Sequence, residues 1–315
     1  MKRLGVIDVG SNSVRALAVG YAEGRFVYLA SGAWISRLAQ GVGEGQYAIS
    51  GEALSRTKAA VTKARMLLDA ICVPLEDRSF IATESLRSAH NASFAAAELE
   101  GVAGLPLSVL SGHEEASLSF QGAAFGLRER VGLLFDLGGG SLEVGDGKRF
   151  FSLPLGAVRM ASLYGEDVEK ISSAAAKRLD EVRRLYAGGV VVGVGGTSST
   201  VVMMLKAVPV GEYHPGKAHG SLVRKKEIEG LLAKMARLSA EERQNIIGLE
   251  PGRADIIIPG MAVIVSLLDA LAIDSYTHSE CDLLWGKLVE MARERGLTAS
   301  GIDWNWRVDC VEGQV

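Results

Sequence analysis

Two stretches of this chain are near copies of each other: LGVIDVGSNSVRALAV, beginning at Leu4, and GLLFDLGGGSLEVGDG, beginning at Gly132. Each is an apolar run that ends in an aspartate, then a glycine-rich turn, then a second apolar run. Asp8 matches Asp136, Gly10 matches Gly138, and Ser13 matches Ser141. Such a segment reads as a strand–turn–strand hairpin whose turn presents bare backbone N–H groups, a cradle for an anion. An aspartate at the strand end can hold a divalent cation over that anion. One copy in each half implies two lobes that clamp one polyanionic ligand and its metal between them.

The flanking pattern repeats as well. Residues 3–31 read as three strands, followed by a glycine-rich loop at 41–45, a helix over 52–71, a strand over 79–83, a helix capped by Ser85, a strand over 106–111 and a helix from about Glu114. After Gly132 come strands at 132–137, 141–146 and 149–154, a helix at about 171–187, a strand at 189–194 and a helix after 195–197. From Arg224 on the pattern is mostly helical. The expected architecture is α/β: two lobes of one topology, each a mixed sheet flanked by helices, with the cleft between them. The lobes are placed at residues 1–125 and 126–300, and 301–315 is left as a tail.

With 48% hydrophobic and 23% charged residues, 315 residues suffice for two such lobes. A net charge of −3 argues against a nucleic-acid partner, which needs a strongly basic face. A locally positive cleft for an anionic substrate remains compatible with it. Cys72, Cys281 and Cys310 have no CxxC spacing and read as reduced thiols of a cytoplasmic protein. The five histidines form no zinc pattern. The greasiest run, 254–273, carries Asp255, Pro259 and Asp269, so it reads as a buried core helix, and no membrane association is expected.

The chemistry concentrates in five motifs. In DVGSNS (8–13) and DLGGGS (136–141) the glycines admit phosphate oxygens close to the backbone, and Ser11, Asn12, Ser13 and Ser141 add side-chain donors. One such turn alone would be an ordinary hairpin; two in register favour phosphate, with Gly139 and Gly140 in the second. Gly195, Gly196 and Thr197 open a helix after a strand, and a helix N-terminus suits an anion. Glu143 follows Ser141 by two residues, so both share one strand face, and it joins Asp136 as a metal-site carboxylate. Arg87 stands near a helix start with Asn91 on its face, suited to gripping phosphate. In SGHEEA two glutamates stand at a helix start, where the dipole favours capping, and Glu114 and Glu115 point about 100° apart on the helix, so only one should face the cleft.

These motifs together resemble the exopolyphosphatase / guanosine pentaphosphate phosphohydrolase family, within the superfamily of acetate and sugar kinases, heat-shock chaperones and actin. SGHEEA, TESLRSAHN and GLEPGRADIIIPGMAVI carry the family resemblance, which runs from Lys2 to about residue 295 and looks like the short, two-domain form. The resemblance implies ribonuclease-H-like lobes in an actin-like ATPase fold, with the active site in the inter-lobe cleft. It implies a phosphohydrolase dependent on Mg²⁺ (or Mn²⁺), with Glu115 as the catalytic carboxylate, Asp136 and Glu143 as metal-associated carboxylates with Asp8 nearby, and Arg87 on phosphate. Inorganic polyphosphate is the substrate expected first and guanosine pentaphosphate the alternative, and a homodimer is an assembly it allows. One segment departs: family members often read close to SDRGLREG near the end, and HSECDLLWG (278–286) lacks those arginines and one glycine. Arg15, Arg37, Arg159, Lys217 and Arg253 are candidates for a basic track for long polyphosphate.

Two other classes fit the glycine turns. A small-molecule kinase would need an acceptor site and an adenine pocket, and no aromatic cluster sits beside GVGGTSST. A non-catalytic actin-like scaffold or nucleotide sensor would not need Glu115 and Glu143.

Overall fold

A computed structural model describes residues 1–41, 47–127 and 129–304. Of the 41–45 loop only Gly41 falls within the described residues, and most of the 301–315 tail, with Cys310, lies outside them.

Twelve strands form two six-stranded sheets among the described residues. The first half supplies β1 (Lys2–Val9), β2 (Ser13–Ala22), β3 (Arg25–Ile35), β4 (Arg78–Ala82) and β5 (Leu107–Val109). The second supplies β6 (Val131–Leu137), β7 (Leu142–Gly145), β8 (Phe150–Leu153), β9 (Val190–Val194), β10 (Leu222–Arg224) and β11 (Ser275–His278), and β12 (Ile302–Asp303) ends the described chain. The strand orders are β12-β3-β2-β1-β4-β5 and β10-β11-β9-β6-β7-β8. Without β12 and β10 they are one topology: an antiparallel three-strand meander extended by two parallel strands. The near-continuous apolar runs of β1 and β6 follow from this central position, where both faces are covered.

Several elements differ from the sequence expectation. The helix assigned from Ser85 is two helices, Glu84–Ser88 and Ala92–Ala103, interrupted where Ala89 bridges Tyr47. Asn91 joins the break by pairing with both backbone groups of Ile49, so it serves the fold and not the cleft. Thr83, not Ser85, is the N-cap. The helix expected at 171–187 ends at Leu179, and Ala157–Tyr164 is a helix the pattern did not reveal. The apolar run over 254–273 is a buried helix, Ile257–Leu271. No helix among the described residues is long and apolar enough to cross a membrane.

The chain also returns to where it began. Helix Leu283–Glu294 packs on β1 and on helix Gly112–Leu127, and β12 pairs with β3. Residues from about 283 onward therefore complete the first lobe, although a boundary at residue 300 assigned them to the second. Helix Gly112–Leu127 in turn touches β6, β7 and β8 of the second sheet. These two helices are the shared wall between the lobes. Glycines allow their close approach: a Cβ on Gly286 would lie 3.0 Å from Leu118 Cα. Separate apolar clusters fill each lobe, and a third holds the returning helix against the first sheet.

Candidate active site

The two glycine turns are built alike and face each other. Gly10 N–H donates to Ser13 O at 3.0 Å, and Gly138 N–H donates to Ser141 O at 3.0 Å. A Cβ built on Gly139 would lie 3.0 Å from Ser11 Cβ and 3.2 Å from Asn12 N. The turns of the two lobes are thus in contact range, and a side chain at Gly139 would crowd Ser11 and Asn12. The start of helix Gly196–Leu205 joins them, with Gly195 at φ +92°, a left-handed conformation that disfavours any other residue. One cleft is lined by Ser11, Asn12, Ser13, Gly139, Gly140, Ser141, Gly195, Gly196 and Thr197, all anticipated as ligand-binding residues, together with Asp8, Glu115 and Asp136. Asn12 Nδ2 and Asp8 Oδ1 are buried without a hydrogen-bond partner. Unpartnered buried polar atoms are costly, and here they mark a place prepared for a ligand.

The two aspartates differ in environment. Asp8 stands opposite Arg15 across the first hairpin, and Asp136 stands opposite Glu143 across the second. Arg15 Nη2 and Nε reach Asp8 Oδ2 at 2.8 and 3.0 Å, and Arg15 also pairs with Asp282. Burial raises the Asp8 pKa, and Arg15 opposes that shift. Arg15 is therefore a fixture of the cleft floor and not part of an open basic track. Asp136 has no such cation on its strand partner. Burial, aided by the charge of Asp282, pushes its carboxyl up to about 6, although Ser119 Oγ donates to its Oδ2 at 2.6 Å. Glu143 is fully buried, and burial with Asp136 beside it pushes it up to about 8. Its Oε1 accepts from Ser152 Oγ at 2.7 Å, while Oε2 has no partner.

Glu115 is the glutamate of SGHEEA that turns inward. It lies in the cleft at 7% exposure, whereas Glu114 turns back to accept from Ser111 N and Oγ as a cap. Burial and the charge of Glu143 raise the Glu115 pKa well above the usual range, with Arg87 pulling the other way. Arg87 does not line the cleft. Its Nη1 donates to Leu110 O at 2.6 Å and to Glu115 Oε2 at 3.2 Å, and its Nη2 donates to Glu84 Oε2 at 2.6 Å. Arg87 thus sits behind the carboxylate as its holder.

The sequence reading missed Glu84, Ser119, Asp282 and the role of Arg159. Arg159, buried in the second lobe, donates from Nε to Gly140 O at 2.9 Å and from Nη2 to Glu84 Oε1 at 2.9 Å. Charges then alternate along Arg159, Glu84, Arg87 and Glu115, from one lobe to the other. Ser119 follows Glu115 by four residues, so helical spacing places it on the same face; that signal was present in the sequence. Nothing local marked Asp282, or the bridge that Arg159 makes to Glu84. Arg37 also bridges the lobes, to Asp255, and Lys217 folds onto Glu212 at the surface, so neither forms an open track. Arg253 does line the cleft, beside its partner Glu250.

Among the described residues no three His, Cys, Asp or Glu side chains converge into a ready metal cage, so Asp8, Asp136 and Glu143 do not close around one point. The donor set still suits a hard cation. Four carboxyl groups (Asp8, Glu84, Glu115, Asp136) and two arginines line the cleft, so its acidic groups outnumber its basic ones once they ionise. Asp8 Oδ1 and Glu143 Oε2 are unused acceptors. Mg²⁺ commonly takes one or two protein carboxylates and fills its remaining positions with phosphate oxygens and water.

The Ppx/GppA phosphatase family model matches residues 19–295. The chain is 30% identical to exopolyphosphatase 2 of Mycobacterium tuberculosis, over 93% of this chain and 99% of that one. It is 28% identical to the guanosine-5'-triphosphate,3'-diphosphate pyrophosphatase of Vibrio cholerae, covering 98% of this chain but only 64% of the relative's length. Among solved structures, the Aquifex aeolicus PPX-GPPA enzyme superposes with a TM-score of 0.73 at 25% identity, covering 92% of this chain and 99% of that one. An exopolyphosphatase from Cytophaga hutchinsonii shares the fold with a TM-score of 0.81 at 22% identity, covering 94% and 99%.

Proposed function

Because this chain belongs to the Ppx/GppA phosphatase family, we propose that it releases terminal orthophosphate from a phosphoanhydride chain, with inorganic polyphosphate as the leading substrate and guanosine pentaphosphate as the second. The observation that carries this reading is the apposition of the two glycine turns with Glu115 in the same cleft.

The backbone N–H groups of Ser11–Ser13 and Gly139–Ser141 grip the terminal phosphoryl oxygens, and the start of helix Gly196–Leu205 favours the next phosphate. A divalent cation held through Asp136, with Asp8 and Glu143 near, would neutralise charge on the phosphoryl oxygens and on the carboxylates that otherwise repel them. Glu115 orients a water at the terminal phosphorus and takes its proton as the new P–O bond forms and the anhydride P–O bond breaks. The products are orthophosphate and a chain shorter by one phosphate. A carboxylate with a raised pKa is the stronger base once ionised, and burial among acidic neighbours raises that of Glu115. Arg87 restrains Glu115, and Glu84 carries that restraint to Arg159 of the other lobe. Phosphoryl transfer depends chiefly on positioning and electrostatics, and these residues supply both.

The direct test follows orthophosphate from long-chain polyphosphate with Mg²⁺, resolving the remaining chain by length. Release one unit at a time from the end supports the reading. Internal cleavage, or no release with either substrate, rejects it.

A further inference from the structure

The segment that follows β3 braces the first phosphate turn from behind. Ser36 N–H and Arg37 N–H both donate to Asn12 O at 2.9 Å, and Ala39 N–H donates to Ser11 O at 3.0 Å. Two consecutive N–H groups thus converge on one carbonyl, and Arg37 between these bonds has a left-handed φ of +52°. Glycine adopts that conformation without strain, whereas an arginine there carries a backbone cost. Strain of this kind persists only where the surroundings hold the residue in place, and the Arg37 side chain is held by the other lobe.

Arg37 Nη1 donates to Asp255 Oδ2 at 2.9 Å and Nη2 donates to Asp255 Oδ1 at 3.1 Å, a bidentate pair, while Nη2 also donates to Gly252 O at 3.3 Å. The segment that receives the guanidinium belongs to the second lobe and is seated on the first. A Cβ on Gly252 would lie 2.8 Å from Ile35 Cγ1, and Ile256 joins the apolar cluster of the first lobe. The same segment carries Arg253, whose guanidinium lies over the start of helix Gly196–Leu205: a Cβ on Gly196 would run into both of its Nη atoms. Arg253 and Ile256 line the phosphate cleft, and Arg37 and Asp255 stand outside that lining.

One ion pair therefore joins the backs of two elements that face the same ligand. On one side stands the turn Ser11–Ser13, and on the other the start of helix Gly196–Leu205 with Arg253 above it. The two side chains are 38% and 45% exposed, and an exposed pair contributes little to folding stability. The spacing that it sets has more leverage, since a small misplacement of gripping groups weakens their hold on a ligand steeply.

We infer that Arg37 and Asp255 are positioning residues: their ion pair fixes the spacing between the Ser11–Ser13 turn and the start of helix Gly196–Leu205, and with it the affinity of the cleft for consecutive phosphates. This rests on the phosphate-binding reading of both elements and adds to it a determinant that touches no phosphate. Without the clasp the two elements spend part of their time at spacings that do not bind, and apparent affinity falls with the competent fraction. Once substrate has drawn them together, the chemical step proceeds as before.

The test uses the full chain with Mg²⁺ and two measurements: calorimetric titration with methylenediphosphonate, which resists hydrolysis, and steady-state orthophosphate release from polyphosphate. At about 50 mM salt, Arg37→Met should weaken methylenediphosphonate about three- to fivefold and raise KM by a similar factor, with kcat within about twofold of the parent. Asp255→Ala should do nearly the same. The double variant should stay near the Arg37→Met value instead of multiplying to about tenfold or more, because the second change removes a contact already lost. All three should melt within about 2 °C of the parent. Screening weakens a partly exposed pair, so the gap between parent and Arg37→Met should close as salt rises to about 1 M. Unchanged methylenediphosphonate affinity in Arg37→Met overturns the clasp. So do single effects that multiply in the double variant, and so does a loss confined to kcat. If Arg37→Met does not fold, unchanged affinity in Asp255→Ala overturns it instead. Polyphosphate cleavage by the parent separates the two readings. Cleavage with an affinity indifferent to Arg37 removes only the clasp. Weakened methylenediphosphonate binding in Arg37→Met, with no phosphate release by the parent from either substrate, removes only the hydrolase.

Discussion

Arg15 and Glu143 occupy the same position in two copies of one hairpin and carry opposite charge: Arg15 pairs in register with Asp8, and Glu143 pairs in register with Asp136. The duplicated unit is therefore electrostatically asymmetric. In the first lobe the aspartate is neutralised by its neighbour. In the second, two buried carboxylates face each other and both resist ionisation. The cation proposed above would therefore offset charge mainly in the second lobe.

Replacing Glu115 by Gln keeps the side chain's size and removes its ability to take a proton. Steady-state orthophosphate release should show kcat reduced by roughly 10²–10⁴-fold with KM little changed. An unaltered kcat would falsify the assignment of Glu115 as the base.

Glu143 has a pH signature. Its folded pKa, about 8, lies above the ordinary 4.5 of an unfolded chain. Between those values the folded state binds more protons, so in the absence of metal stability should fall as pH rises from about 4.5 to about 8. Glu143→Gln removes this liability. Its melting temperature should exceed that of the parent at pH 8 and match it at pH 4.5, while activity drops. Calorimetric melting across this range checks the sign, and parallel curves for the two proteins would show the shift to be absent.

Divalent cation dependence follows from the same carboxylates. Chelation should abolish phosphate release, and Mg²⁺ or Mn²⁺ should restore it. Since Asp136 and Glu143 must lose protons to receive a cation, Mg²⁺ affinity should rise as pH climbs from about 6 to about 8, with proton release. Titration calorimetry in buffers of different ionisation enthalpy measures both. Full activity in chelator would remove the cation from the mechanism.

Arg15 holds two acidic groups that are themselves nearly buried, Asp8 and Asp282. Arg15→Met strands both, and breaking a buried pair from one side costs on the order of 3 kcal/mol or more. Urea unfolding should show that loss. Asp8→Asn should cost less, because Arg15 retains Asp282. The reverse ranking would mean that the ion pairs do not hold the floor of the cleft.

The bridge from Arg159 to Glu84 ties the position of Glu115 to closure of the lobes. Glu84→Gln should lower kcat several-fold while leaving the fold intact. A double-mutant cycle with Arg159→Met should give a coupling of roughly 0.5–3 kcal/mol in the kinetic barrier. Strict additivity would separate the two residues.

The legibility of the chain followed the range of each interaction. The hairpins were readable because period-two alternation, a terminal aspartate and glycine all lie within 16 residues of sequence. Helical geometry left the choice between Glu115 and Glu114 open, since it says that only one faces inward but not which, and only the family resemblance singled out Glu115; the fold places Glu115 in the cleft and turns Glu114 back onto Ser111. Arg87 was read as a phosphate ligand because its motif is local, while the carboxylates that hold it, Glu84 and Glu115, compete for the same guanidinium only after folding. The break at Ala89 required Tyr47, more than forty residues away, and so left no local trace.

Sequence alone determined the duplicated hairpins, the two-lobed α/β plan and most of the residues that line the cleft, since backbone conformation, strand alternation and turn chemistry are encoded over a few neighbouring positions. Tertiary structure alone decided that the last helix closes the first lobe, that Arg15 neutralises one aspartate while Glu143 confronts the other, and that Arg37 meets Asp255 across the lobes. Those outcomes depend on burial and on charges brought together from distant segments, and desolvation acts only once the chain has folded around them.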